Sequence, residues 1–156
     1  MNPHWPSTSL DPVQRLHTVA AGVPGAAVTE RVVAAEFDSV WSTLTDFPGG
    51  FTQVQPDMRR VQVLSRDGDR VRLLASSRRG MRALLVGIER PGWCWLQSRF
   101  LIIAMAATPH SSGGTRVALT GGVRVPGRAR IVPIGVRHEA RRSLDALAQL
   151  LDNPSS

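Results

Sequence analysis

Few residues in this chain have side chains that do chemistry, and their spacing brings few of them together. The four histidines, His4, His17, His110 and His138, stand at metal-ligand spacing neither from one another nor from Cys94. No metal site is expected. Cys94 is the single cysteine, so it cannot close an internal disulfide. In its setting, WCWL, it reads as a small buried apolar group rather than a nucleophile. There is no Walker loop, dinucleotide fingerprint or G-x-S-x-G elbow, and no cofactor is expected. Acid–base work in a pocket needs a convergent carboxylate, histidine or arginine. Glu89 is one candidate: it falls in register with Met81, Ala83, Leu85 and Gly87 and could face inward near its strand's end. Arg99 is a second. It shares a strand face with Trp93, Trp95 and Gln97. If that face is concave, Trp95 and Arg99 offer an aromatic platform and a donor for an anionic or carbonyl oxygen. If Cys94, Leu96 and Ser98 face inward instead, both lie outside. One residue of slip exchanges the two sets, and both stay open. Ser143 is a third candidate, able to donate to a ligand or to bond back to its own helix.

The elements that must position these residues follow from periodicity. From Ile134 to Leu151 the chain is amphipathic at helical spacing, with Val136, Ala140, Ser143, Leu144, Leu147, Leu150 and Leu151 on one side. The first half of that stripe is small and the second half is leucine-rich. Small residues leave space, so a cavity beside this helix belongs near its N-terminal half, with Arg137 and Arg141 able to rim the mouth. Larger side chains from the sheet filling the same space is the competing arrangement. Asp11-Pro12 opens a short helix that ends at Gly22 and packs outside the domain or covers a pocket mouth. Ala27 to Ala34 is a strand, and Glu36 to Asp46 a helix burying Phe37, Val40, Trp41 and Leu44. Phe51 to Val54 adds a turn.

Six strand-like runs follow. Arg59–Arg66 and Asp69–Arg78 are joined by an Asp67-Gly68 hairpin. Met81–Arg90, Trp93–Arg99, Phe100–Thr108 and Thr115–Val125 complete the set. Gly121-Gly122 suggests a bulge or tight bend in the last. The class is α+β, with a curved seven-stranded antiparallel sheet wrapped around one long C-terminal helix.

The chain has 156 residues, which is one domain's worth. The division expected is an N-terminal extension with a short helix over 1–25, the domain over 26–152 and a tail over 153–156. All of the 19 basic side chains are arginine, and tyrosine is absent. That usage suggests a high-GC, bacterial coding bias, which weakens a functional reading of the net charge of +7. The arginines are scattered and accompany no nucleic-acid motif, so no nucleic acid is expected. No apolar run is long enough to span a bilayer, and no signal peptide opens the chain, so a cytoplasmic location is expected. Peripheral contact with an anionic membrane surface and a homodimer both stay open.

The stretches AAVTERVVAAEFDSVWSTLTDF, the 57–78 hairpin, Pro91-Gly92, SGGTRVALTGGVRVPG and the terminal Arg/Leu-rich helix together resemble the START-like, Bet v 1-like superfamily. This is the SRPBCC group, also called the polyketide cyclase/dehydrase and lipid transport family. The likeness covers about residues 26 to 152 and rests on structural motifs. It implies a helix-grip fold with an internal, mostly apolar cavity for lipids, sterols, quinones or polyketides. The function expected is therefore binding, with carriage as an extension of it, of a small hydrophobic or amphipathic ligand between sheet and C-terminal helix. The lining expected is Val136, Ala140, Ser143 and Leu147 from the helix and Leu73, Ala75, Leu85, Trp95 and Met105 from the sheet. Each of the sheet's apolar members also reads as plain core. Two alternatives stand beside it. One is a cyclase or dehydratase using Glu89, Arg99 or Ser143 to orient an enolate or carbonyl. The other is an interaction module with a closed interior.

Overall fold

Alternation of apolar and charged residues commits the middle of the chain to strands with two different faces. The computed structural model describes residues 11–23, 26–55, 58–78, 80–99, 101–123 and 133–152, with the backbone alone described for 121–123 and 133–140. Its elements are α1 (Pro12–Ala21), β1 (Thr29–Val33), α2 (Phe37–Thr45), α3 (Gly50–Val54), β2 (Met58–Asp67), β3 (Arg70–Ser77), β4 (Arg82–Arg90), β5 (Trp93–Gln97), β6 (Leu101–Pro109), β7 (Thr115–Val123) and α4 (Pro133–Asp152). The seven strands form one antiparallel sheet in the order β1-β7-β6-β5-β4-β3-β2. Consecutive strands are joined by short turns except at β1, which closes against β7.

Local chemistry accounts for the boundaries. Asp11 caps α1 by accepting the Gln14 backbone N–H at 2.9 Å, and Pro12 takes the first helical position. The first hairpin turns one residue later than its sequence suggests. Asp67 pairs with Arg70, so Gly68 and Asp69 make the turn, and Gly68 takes the left-handed value of φ +57 that favours glycine. Thr115 is buried and donates from its hydroxyl to the Ala35 carbonyl at 2.8 Å, tying β7 to the end of β1.

The bulge expected at Gly121-Gly122 is absent, and register shifts fall elsewhere in the sheet. Both glycines pair in unbroken register with Ile103 and Ile102, so no residue is inserted there. Instead β2 shifts register between Met58 and Arg60 and again between Val63 and Ser65. β4 also presses closely on β5 at Gly87, where a Cβ would stand 1.8 Å from the Trp95 carbonyl oxygen. Both devices bend an antiparallel sheet.

The sheet buries side chains on both faces. On the inner face Leu73, Leu85, Leu96, Met105, Val117 and Leu119 pack with Val40, Leu44, Phe47 and Phe51 of the α2–α3 segment and with Leu144 and Leu147 of α4. On the outer face Val13 and Leu16 of α1 pack on Trp93, Ala104, Ala106 and Ala118. The small alanines of β6 and β7 let α1 sit close. α1 thus packs outside the sheet, on the face opposite α4.

Candidate functional site

The inner face is fixed by register, because residues directly opposite in an antiparallel pair share a face. Cys94 pairs with Glu89 on one side and Met105 on the other. Leu96 pairs with Gly87 and Ile103. Cys94, Leu96, Ile103 and Met105 all belong to the core that includes Leu144 and Leu147 of α4. Cys94 and Leu96 therefore face the helix. Trp93, Trp95 and Gln97 face away from it, which corrects the expectation that Trp95 lines the interior. Trp93 lies beneath α1, with the Arg15 guanidinium 5.0 Å from the centre of its ring. Trp95 stacks beside it at 6.4 Å and donates its indole N–H to Gln97 Oε1 at 3.4 Å.

Leu73, Ala75, Leu85 and Met105 do face inward. Leu73, Leu85, Met105 and Leu147 have no accessible surface, and Ala75 has almost none. No space large enough for water touches the first four, so they form close-packed floor. Ser143 is buried next to Leu144 on the same helix. This half of α4 is anchored to the sheet's edge by an ion pair between Arg31 of β1 and Asp145. The side chains of Val136, Arg137 and Ala140 lie outside the described residues, and Arg141 is exposed.

Glu89 faces inward at the end of β4, as its register suggests. Its carboxylate is 3.5 Å from Arg66 Nη1, a partner that simple alternation assigns to the opposite face. Val61 and Val63 pair with Ala75 and Leu73 on the inner side, so strict alternation would send Ser65 in and Arg66 out. The bulge between Val63 and Ser65 reverses that parity and pairs Arg66 with inward-facing Val71. A bulge leaves no composition signal in this stretch, and only pairing partners reveal it. The Arg66 guanidinium then lies 5.5 Å from the centre of the Phe47 ring.

Cys94 sits directly opposite Glu89 in this end of the interior. Burial first and then the nearby Glu89 carboxylate, against the opposing Arg66 charge, push its thiol up to about 12. A thiol with that value is protonated at neutral pH, so Cys94 is a small apolar filler and no thiolate nucleophile. Arg99 is exposed in the bend after β5, whereas Glu89 pairs with Cys94 near the start of that strand. The structure does not bring Glu89 and Arg99 together. Among the described residues no group of three or more His, Cys, Asp or Glu side chains could hold a metal ion. His17 pairs with Glu30 at 2.7 Å on the surface, joining α1 to β1. No described helix is long and apolar enough to cross a membrane.

No protein-family model and no curated protein matches the sequence. Solved structures do match its shape. A protein from Mesorhizobium loti is 17% identical, with 84% of this chain and 99% of that chain covered at a TM-score of 0.64. An aromatase/cyclase from a Streptomyces species is 16% identical, covering 81% and 93% at 0.60. A START superfamily protein from Mycobacterium smegmatis is 20% identical, covering 83% and 95% at 0.51. At such identities the likeness is one of fold. The chain has the START-like, Bet v 1-like helix-grip fold, in the α+β class.

Proposed function

We propose that the protein binds a small hydrophobic or amphipathic ligand between the inner face of the sheet and the N-terminal half of α4. The observation that carries this reading is the division of the interior. The leucine-rich half of α4 meets a floor with no accessible surface at Leu73, Leu85, Met105 and Leu147. The N-terminal half of the same helix carries the small residues Val136 and Ala140 in its sequence. A closed floor and a small-sided upper wall suit an apolar guest, whose burial is favourable in proportion to the apolar area removed from water. Ser143, at the junction of the two halves, supplies a hydroxyl for a ligand's polar end. The solved structures of the same fold include proteins described as an aromatase/cyclase and a START superfamily member, which agrees with a ligand-holding scaffold.

Carriage is favoured over catalysis because the acid–base candidates do not converge. Glu89 is engaged with Arg66 beneath Phe47, and Arg99 lies at the far end of β5. Native mass spectrometry of the protein purified from its own host tests the proposal. A co-purifying hydrophobic molecule, released on denaturation, is the expected result. A protein that is always empty and takes up no apolar probe would leave the closed interaction module as the reading.

A further inference from the structure

The outer face of the sheet is only partly covered. Among the described residues α1 packs mainly on β6 and β7, and the outer side of β4 keeps exposed side chains. Along β4, Leu84, Val86 and Ile88 alternate outward and are 42%, 44% and 38% exposed. Register sets Leu74, Arg72 and Arg70 of β3 directly opposite them. Val19 of α1 joins Val86, Ile88, Trp93 and Trp95 around an open groove of about 450 Å³, with Arg70 and Gln97 at its rim. Arg60 and Arg82 flank Ser76 on the same face, and Arg90 lies on it opposite Trp93. The acidic residues in this region are Asp67, opposite Arg70, and Asp69, bonded to Arg90 at 2.8 Å. Five arginines thus surround a row of exposed aliphatic side chains, against two carboxylates. A row of aliphatic residues facing water costs solubility, and α1 covers only its edge.

We propose that this face docks on the surface of an anionic phospholipid bilayer. The proposal stands apart from the interior ligand and rests on charge and exposure. An anionic headgroup layer over an apolar interior is complementary to both parts of the face at once. Headgroup phosphates meet the arginines, while Val86, Ile88 and the Trp95 edge enter the boundary between headgroups and acyl chains. A folded protein partner is anchored by side chains sunk in closed pockets, and this groove is open. A second copy docked here would bring five arginines against five more, which like-charge repulsion opposes.

The test is co-sedimentation of the full chain with vesicles of phosphatidylcholine and phosphatidylglycerol, against vesicles of phosphatidylcholine alone. Binding to the anionic vesicles only, weakened by added salt, is expected. Arg70→Glu with Arg72→Glu should lower that affinity at least about tenfold. Arg141→Glu with Arg142→Glu, an equal charge change on exposed α4 positions, should lower it much less. Brominated phosphatidylglycerol should quench the tryptophan fluorescence of the unmodified protein, and Trp95→Phe should remove most of that quenching. This readout holds even if Val86→Asp with Ile88→Asp, expected to abolish insertion, fails to fold. Absence of vesicle binding, or equal loss in the two arginine pairs, overturns the proposal. So does retention on polyglutamate without vesicle binding, which would assign an acidic polypeptide. A concentration-dependent dimer dissolved by Val86→Asp with Ile88→Asp would assign the face to a second copy and overturn it as well.

Discussion

At the scale of single residues, Cys94 offers an unusually clean test of the interior. Burial and Glu89 together hold its thiol near 12, against an ordinary value of 9.0. Above pH 9 the unfolded chain gives up this proton while the folded chain keeps it until about 12. The native state therefore loses stability as pH rises through that window, by at most about 1.4 kcal/mol per pH unit, and loses none below it. The chain has neither lysine nor tyrosine, so no other side chain has its ordinary titration there. Denaturant unfolding measured from pH 8 to 11 should show the decline in the unmodified protein and a flat profile in Cys94→Ala. An equal decline in both would place Cys94 in contact with solvent. The polar neighbours of Cys94 show how far single residues can be read. Glu89 was legible from period-two spacing. Arg66 was not, because one inserted residue in β2 reversed its face, and a bulge is set by strand pairing rather than by composition. Trp95 remained ambiguous for a related reason: WCWL is apolar on both sides, and β5 buries Cys94 and Leu96 on one face and Trp93 on the other.

At the scale of elements, close approach and packing set the energetics. Gly87 is where β4 meets β5 most tightly, and a methyl group there would collide with the Trp95 backbone. Gly87→Ala should destabilise by about 2 kcal/mol or more, in the range of an overpacked interior, as read from the midpoint of denaturant unfolding. A neutral outcome would mean that the strand pair relaxes freely. α1 behaves as a strap on the outer face. Leu16 is fully buried against the sheet, and Leu16→Ala should cost about 2–5 kcal/mol, comparable to a residue of the main core. A loss below about 1 kcal/mol would show that α1 is dispensable. Elements with a local cause were legible in advance. Asp11-Pro12 and Gly22 bound α1 because capping chemistry is local. The sequence alone sets the turn at Gly68 one residue early, since Asp67-Gly68 and Gly68-Asp69 are both acceptable turn pairs and pairing with Arg70 decides between them. The bulge expected at Gly121-Gly122 is absent and the register shifts fall in β2 instead, because a glycine permits an irregularity without requiring it.

At the scale of the whole molecule, one sheet packs helices on both of its faces. Its inner face meets α4, and its outer face is partly covered by α1 and partly open. The order of elements, a lone strand, short helices, six strands and a long helix, was enough to give the α+β class, and the resemblance implied the helix-grip architecture, with which the solved structures of like shape agree. The site was less legible, because apolar residues that wall a cavity and those that fill a core have the same types and periodicity. The gradient along α4 from small to large side chains is the feature that separates them. The proposed function accordingly places ligand space beside Ala140 and not beside Leu147. The most direct test is uptake of an apolar fluorescent probe by the Ala140→Trp protein, with far-UV circular dichroism confirming a native fold. The account predicts that uptake is abolished while the spectrum is unchanged. Undiminished uptake by a folded Ala140→Trp protein would contradict it.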